Sequence, residues 1–427
     1  MKKRILVRGP CLTQSGYGEH ARMILRALKE REDLYDICIV PVSWGQTGWL
    51  PEYDEFRLWM DKQISKTQRY LQQQTPFDIS FQITIPNEWE RLAPVNIGVT
   101  AGIETTKVSP LWLQKANEMD KIIVPSNHAK WSFENTVYDA VDQIGNPGKL
   151  KLNTEIYVVP YPTRQNIPVL QELEQVSLEE DSFNYLVVGQ WGPRKNMENT
   201  IRWWLEECWD QDVGLVIKTS VRKNNIFDRR FVLGKIKSIV DSIRLDKEDR
   251  KCKLYLIHGD MSESEIKTLY HHPSIRCMVS ATHGEGFGLP LFEFAQTGKL
   301  IIATGWSAHL DFLTYTDENG KATNGFLQVD YDLSPVQPEA VWESVIQSDA
   351  LWAYPREGSF KQRIRQARTK EKKWLPRSQE VAAAIEKNFN IDKINNLVLQ
   401  TVDNRKNIPE VLDFLKWENK KEELNEF

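Results

Sequence analysis

Short apolar, β-rich runs alternate with helical stretches along most of the 427-residue chain, and this alternation restricts the fold more than any single motif. The runs RILVRG, DICIVPV, FDISFQITI, NIGVTAGI, DKIIVPS and EIYVVPY come first, with a helical stretch from about Gly18 to Glu30 after the first of them. Short apolar, β-rich runs separated by helical stretches imply a parallel sheet covered on both faces by crossover helices. The pattern pauses over 162–182, a polar, acidic stretch with Pro162 and Pro168 that suits an interdomain linker. It resumes with FNYLVVGQ, VGLVIKTS, KLYLIHGD, IRCMVSAT, KLIIATG and NGFLQVD. The expected architecture is α/β: two doubly wound Rossmann-like domains facing a cleft, residues 1–165 and 176–400, with a charged helical tail from about Glu339.

Composition narrows the function classes. A formal net charge of −4 argues against a protein that coats nucleic acid, which needs a basic excess. The five cysteines (Cys11, Cys38, Cys208, Cys252, Cys277) form no C-x-x-C pair and have mostly apolar neighbours, so buried reduced thiols are expected. MKKRILVRGPCL has three apolar residues before Arg8, too few for a signal-peptide core, and no run approaches the ~18 apolar residues of a membrane span. A cytoplasmic protein is the expectation. The seven histidines lack H-x-x-x-H spacing on one helix face, so no catalytic metal is expected. The basic run from Lys218 through Lys237 reads either as a peripheral, lipid-facing patch or as a solvated helix face.

THGEGFGLPLFEFAQTGKLIIATGW (282–306) places a Gly-rich turn between two buried strands, so a crossover helix begins near Gly288. Gly286 and Gly288 allow close backbone approach of a ligand, and the free amides of a first turn attract an anion such as phosphate. Pro290 suits an early helical position and Gly298 the exit. Glu285 is out of place beside an anion unless it binds hydroxyls. A ligand carrying both phosphate and hydroxyls, such as a sugar nucleotide, reconciles the two.

The pair Glu285 and Glu293 around GFGLPLF resembles the signature of retaining GT-B glycosyltransferases. The flanking EFAQTGKLIIATGWSAHLDFL resembles glycosyltransferase family 4. By resemblance, Glu285 contacts donor-sugar hydroxyls, Glu293 holds the nucleotide ribose, and the amides of Gly286, Phe287, Gly288 and Leu289 meet the diphosphate and sugar. The resemblance further implies retaining transfer of a sugar from a UDP- or GDP-sugar to a hydroxyl acceptor such as a glycan or glycolipid. It implies no metal or other cofactor, and a last helix, here residues 408–427, crossing back onto the first domain.

Further candidates flank the cleft. Gly16, Gly18 and Ala21 have G-x-G-x-x-A spacing, but about eight residues separate Val7 from Gly16 and no acid follows Val40, which disfavours a nicotinamide site. The glycines are either a plain helix start or a loop closing over a diphosphate, as in the family. Arg194 and Lys195 follow a strand of the second domain, where open α/β sheets bind ligands, and both suit a diphosphate. The family has an Arg several residues before this Lys, where this chain has Gln190, so Lys195 carries the role and Arg194 is its candidate substitute. Lys218 is a further strand-end candidate, with a surface lysine as the alternative. Glu104 stands where many family members have a histidine, and either serves catalysis, by orienting or deprotonating the acceptor, or caps the next helix. Trp44, Trp49 and Trp89 are candidate stacking faces for a sugar acceptor. The alternatives to a transferase are a non-catalytic sugar-nucleotide-binding or scaffold protein of the same fold, and an epimerase or phosphorylase on related substrates.

Overall fold

The structure, a computed structural model, describes residues 2–45, 47–50, 53–141, 145–164, 166–174, 176–222, 224–244 and 249–402. In the first half the strands are β1 (Lys3–Gly9), β2 (Tyr35–Pro41), β3 (Ile79–Ile83), β4 (Val95–Val99), β5 (Lys121–Val124), β6 (Tyr138–Val141), β7 (Pro147–Leu150) and β8 (Ile156–Val158). Those of the second half are β9 (Asn184–Val188), β10 (Gly214–Thr219), β11 (Lys253–His258), β12 (Ile275–Ser280), β13 (Leu300–Thr304), β14 (Thr314–Thr316), β15 (Ala322–Asn324), β16 (Leu327–Val329), β17 (Tyr331–Pro335) and β18 (Leu351–Pro355). The helices are α1 (Gly16–Lys29), α2 (Glu55–Gln72), α3 (Pro110–Asn117), α4 (Asn127–Asn135), α5 (Met197–Cys208), α6 (Ile226–Arg244), α7 (Glu263–His271), α8 (Leu289–Ala295), α9 (Leu310–Leu313), α10 (Glu357–Thr369), α11 (Glu371–Asn388) and α12 (Ile391–Val402).

Two six-stranded sheets result, ordered β2-β1-β3-β4-β5-β8 and β11-β10-β9-β12-β13-β16. Every pairing in them is parallel. Strand order reverses beside β1 in one sheet and beside β9 in the other, which opens a crevice at the carboxyl ends where such sheets bind ligands. These runs form strands covered on both faces: every successive residue of Ile79–Ile83 and of Leu300–Thr304 is buried. The core continues across the two halves, with Tyr161 against Phe287 at 4.9 Å and Phe287 against Phe292 at 5.1 Å between ring centroids.

The chain returns to the first half through α12, ahead of residues 408–427, which lie outside the described residues. Asn395 donates to the Glu30 carboxylate at 2.5 Å and Lys121 donates to the Thr401 carbonyl at 2.6 Å. A return helix that packs on α1 thus lies within the stretch assigned from sequence to the second domain. Among the described residues, no helix is long and apolar enough to cross a membrane. All five cysteines are buried free thiols. Trp89 is fully buried over Gly98, whose missing Cβ would lie 2.6 Å from the indole, so Trp89 belongs to the core and offers no stacking face. Trp44 packs on Tyr17 at 4.2 Å, and Trp49 is exposed.

Candidate functional site

Four loops converge in the cleft. Those after β9 and β12 carry Arg194, Lys195 and Glu285, and those after β1 and β4 approach from the first half with Gly16 and Glu104. Lys195 Nζ donates to Glu285 Oε1 at 2.6 Å, Arg194 Nη1 to Glu285 Oε2 at 3.0 Å, and Arg194 Nε lies 3.2 Å from Glu104 Oε1. Arg194 Nη1 also donates to the Gly284 carbonyl at 2.8 Å. Two cations thus meet two carboxylates, one from each half. Burial alone would raise the Glu285 pKa; Lys195 and then Arg194 overcome it and hold the carboxyl at about 2. Glu285 is therefore an anion at working pH, while burial works against the charge of Lys195.

The backbone around this quartet is constrained. Asn196, beside Lys195, has φ 50 and precedes α5, its Nδ2 donating to the Ala281 carbonyl at 3.0 Å. Ser307 has φ 78, and its Oγ accepts from the Glu285 amide at 2.8 Å. Left-handed non-glycine residues cost free energy that the surrounding structure must offset, and such residues cluster at functional sites. The sequence reading passed over Ser307, although it lies inside the quoted GWSAHLDFL.

Glu104 does not cap the next helix, because Ser109 does, accepting from the Trp112 amide at 3.2 Å. The Glu104 carboxylate is left to Arg194. Gln190 turns away and donates to the Val221 carbonyl at 2.6 Å, which leaves Arg194 as the guanidinium of this loop. Lys218 lies a strand away, where burial lowers its pKa against the pull of Asp260, and it does not join the quartet. Near α1, the Gly18 amide is spent on the Ser15 cap at 2.9 Å, and a Cβ there would lie 2.2 Å from the Thr13 carbonyl oxygen. Gly18 therefore serves loop packing. Gly16 begins α1 with nothing within 4 Å of its missing Cβ, so it can face a ligand.

The predicted helix start is present: Gly288 precedes α8 with φ 94, and Pro290 lies in its first turn. Among the described residues, none accepts a hydrogen bond from the amides of Gly286, Phe287 or Gly288. The Phe287 side chain is buried in the core and Leu289 opens the helix. A Cβ on Gly286 would lie 2.6 Å from the Ala101 carbonyl oxygen of the facing half. That partner is backbone and cannot swing aside. Gly286→Ala is therefore expected to part the halves locally and lower stability by roughly 1–3 kcal/mol. A melting temperature equal to wild type would show that this approach is not tight in solution.

Glu293 occupies a separate constellation. Arg164, from the linker, reaches Glu19 of α1 at 3.2 Å, Glu263 of α7 at 2.8 Å and Glu293 of α8 at 3.8 Å. These side chains line a pocket of about 170 Å³ with Tyr161 and Leu289. Burial raises the Glu293 pKa, with Arg164 opposing, whereas Arg164 and Arg22 outweigh burial at Glu19 and hold it at about 2. The structure thus places Glu293 with Arg164 and Glu285 with Lys195 and Arg194, in two separate charge clusters.

A second contact joining the halves also escaped the sequence reading. The buried Asp311 accepts from the Asn127 amide at the start of α4 at 2.7 Å, and Ser126 Oγ donates to the Gly286 carbonyl at 2.9 Å. Burial pushes the Asp311 pKa up to about 7, with the Asn127 hydrogen bonds opposing. Because the folded value exceeds the unfolded one, this group adds stability as pH falls below about 7 toward the ordinary carboxylate range near 4, and loses it as pH rises. Asp311→Asn keeps the acceptor and removes the titration. Its melting temperature is expected to change less than that of wild type between these pH values; identical slopes would remove Asp311 as the cause.

No protein-family model matches the chain, and no curated protein matches it in sequence. Solved structures match its fold. HepE from Anabaena, in complex with UDP and glucose, aligns at a TM-score of 0.57 and 11% identity over 94% of this chain and 99% of that one. Sucrose-phosphate synthase from Thermosynechococcus elongatus aligns at 0.60 and 13% over 94% and 98%. The E. coli trehalose-6-phosphate protein bound with UDP-2-fluoro glucose aligns at 0.59 and 10% over 94% and 99%. At these identities the likeness is one of fold, and over nearly its full length the chain has the GT-B fold.

Proposed function

We propose that this protein is a retaining, metal-independent glycosyltransferase that moves a sugar from a nucleoside-diphosphate donor to a hydroxyl acceptor. The observation that carries the reading is the quartet of half-buried Lys195, Arg194 and Glu104 around the buried Glu285 at the switch point of a GT-B cleft. Several of the similar solved structures hold UDP, UDP-glucose or a fluorinated UDP-glucose, which favours a UDP-sugar over a GDP-sugar. The acceptor, a glycan or a glycolipid, would enter past the first-half loops that follow β2 and β3.

In this reading the donor C1–O bond breaks and its electron pair leaves with the diphosphate. The acceptor oxygen bonds to C1 on the same face and gives up its proton. An ammonium has three donors, so Lys195 can keep its bond to Glu285 and still meet the diphosphate. Charge developing on the leaving group is where fixed donors lower a barrier most, and Lys195, Arg194 and the amides of Gly286 to Gly288 fill that role. Glu285 binds sugar hydroxyls, Glu293 the ribose, and Gly16 borders the diphosphate. Glu104 orients Arg194 and faces the acceptor side, where it is the candidate for taking the acceptor proton.

The test is thermal stabilisation by UDP, GDP and their sugars, followed by product analysis with acceptor panels. One nucleotide series is expected to raise the melting temperature, with a sugar-dependent release of nucleoside diphosphate coupled to a new glycoside. Binding without transfer or hydrolysis would indicate a non-catalytic sugar-nucleotide-binding protein. No shift with either series would remove the donor site itself.

A further inference from the structure

α6 buries one stripe, Val232, Ile236, Ile239 and Ile243, at the spacing that turns a single helix face to the sheet. Its opposite face is not an ordinary solvated surface. Phe227 is 75% exposed, Phe231 54% and Ile226 51%, with Leu233 beside them. Phe227 and Phe231 are four residues apart and share a face. Arg230 and Lys237 are exposed on this side of the helix, Arg222 is exposed in the preceding loop, and Lys235 lies over the Phe231 ring at 5.3 Å. The acidic side chains of the helix do not cancel this charge. Asp228 turns inward, taking amide hydrogen bonds from Val221 and Arg222 and lying 2.8 Å from His258 Nε2, which leaves Asp241 as the exposed carboxylate toward the far end.

A molecule of net charge −4 thus concentrates basic side chains around exposed phenylalanines on one helix. Large exposed aromatics ringed by cations lose little on leaving water and gain from a surface that is apolar below and anionic above. We propose that the outer face of α6 docks on an anionic lipid surface, with Phe227 and Phe231 entering the headgroup boundary and Arg222, Arg230, Lys235 and Lys237 meeting lipid phosphates. The helix starts at the cleft rim: Asn224 lies 3.4 Å from Asp260, and the missing Cβ of Gly48, in the first half, would lie 3.8 Å from the same carboxylate. Docking in this orientation brings the cleft mouth, with the exposed Trp49, toward the lipid.

The full-length chain can be sedimented with vesicles of phosphatidylcholine alone and of phosphatidylcholine mixed with phosphatidylglycerol. Wild type is expected to pellet only with the anionic vesicles and to be released by added salt. Arg230→Glu with Lys237→Glu is expected to weaken binding by roughly fivefold or more per side chain. Phe227→Ala with Phe231→Ala is expected to weaken it on the order of tenfold. Melting temperatures of both double variants stay at the wild-type value, because these side chains are exposed, and this readout does not depend on any nucleotide. Equal pelleting with neutral vesicles, or wild-type binding by both double variants, overturns the proposal. A wild-type dimer in sedimentation velocity that the phenylalanine double variant dissolves also overturns it, since the face would then join two copies.

Discussion

Glu285→Gln is expected to lower sugar transfer by roughly 10²–10³-fold while the protein still folds. Glutamine keeps the shape and removes the charge, so the loss isolates what the anion does. In the structure that anion is nearly buried and holds Lys195 at 2.6 Å and Arg194 at 3.0 Å. Without it two half-buried cations share the single carboxylate of Glu104, and breaking a fully buried pair costs about 3–5 kcal/mol, which is the upper bound here. A lower melting temperature is therefore part of the expectation. Its pH dependence separates the causes. The folded Glu285 pKa of about 2 lies below the ordinary carboxylate value. Its contribution is present above roughly pH 4.3 and is lost as pH falls toward 2. Wild type should lose stability through that acid window, and the variant should lose less. Transfer within a few-fold of wild type in a folded variant would sink the catalytic role of Glu285.

The second large effect is expected at Lys195. Lys195→Met keeps an unbranched stem, which packs 3.5 Å from the missing Cβ of Gly189, and removes the ammonium. If Lys195 stabilises charge that grows as the diphosphate departs, kcat falls by roughly 10²–10³-fold. Donor affinity then falls less, because Arg194 and the loop amides remain for ground-state binding. Steady-state kinetics separates the two contributions: a raised KM with unchanged kcat would show that Lys195 only binds the donor. The same variant leaves Glu285 with Arg194 as its cation, so the acid window of stability should move toward higher pH. A window at its wild-type position would show that Lys195 does not set the Glu285 charge.

The strand pattern determined the architecture from sequence alone. Runs such as DKIIVPS and KLIIATG are apolar at successive positions, and only strands covered on both faces can bury them all. The turn at 284–290 was equally legible, since glycine at 288 with proline two residues later is local chemistry that needs no distant partner. Lys195 was legible for a similar reason, from its place just after a strand.

Tertiary structure decided the partnerships. That Glu104 meets Arg194 and leaves the helix cap to Ser109 depends on how the two halves close, and no local pattern encodes that approach. Asp311 capping α4 from 184 residues away, Ser307 holding the Glu285 amide, and Arg164 tying three helices together are likewise long-range. The role of Gly18 shifted on the same ground, because a Cβ at that position meets Thr13 and its amide belongs to Ser15. Backbone period and turn chemistry are written residue by residue. Which buried charge answers which is settled when desolvation forces each ion to find a partner in the closed cleft, and that choice exists only in three dimensions.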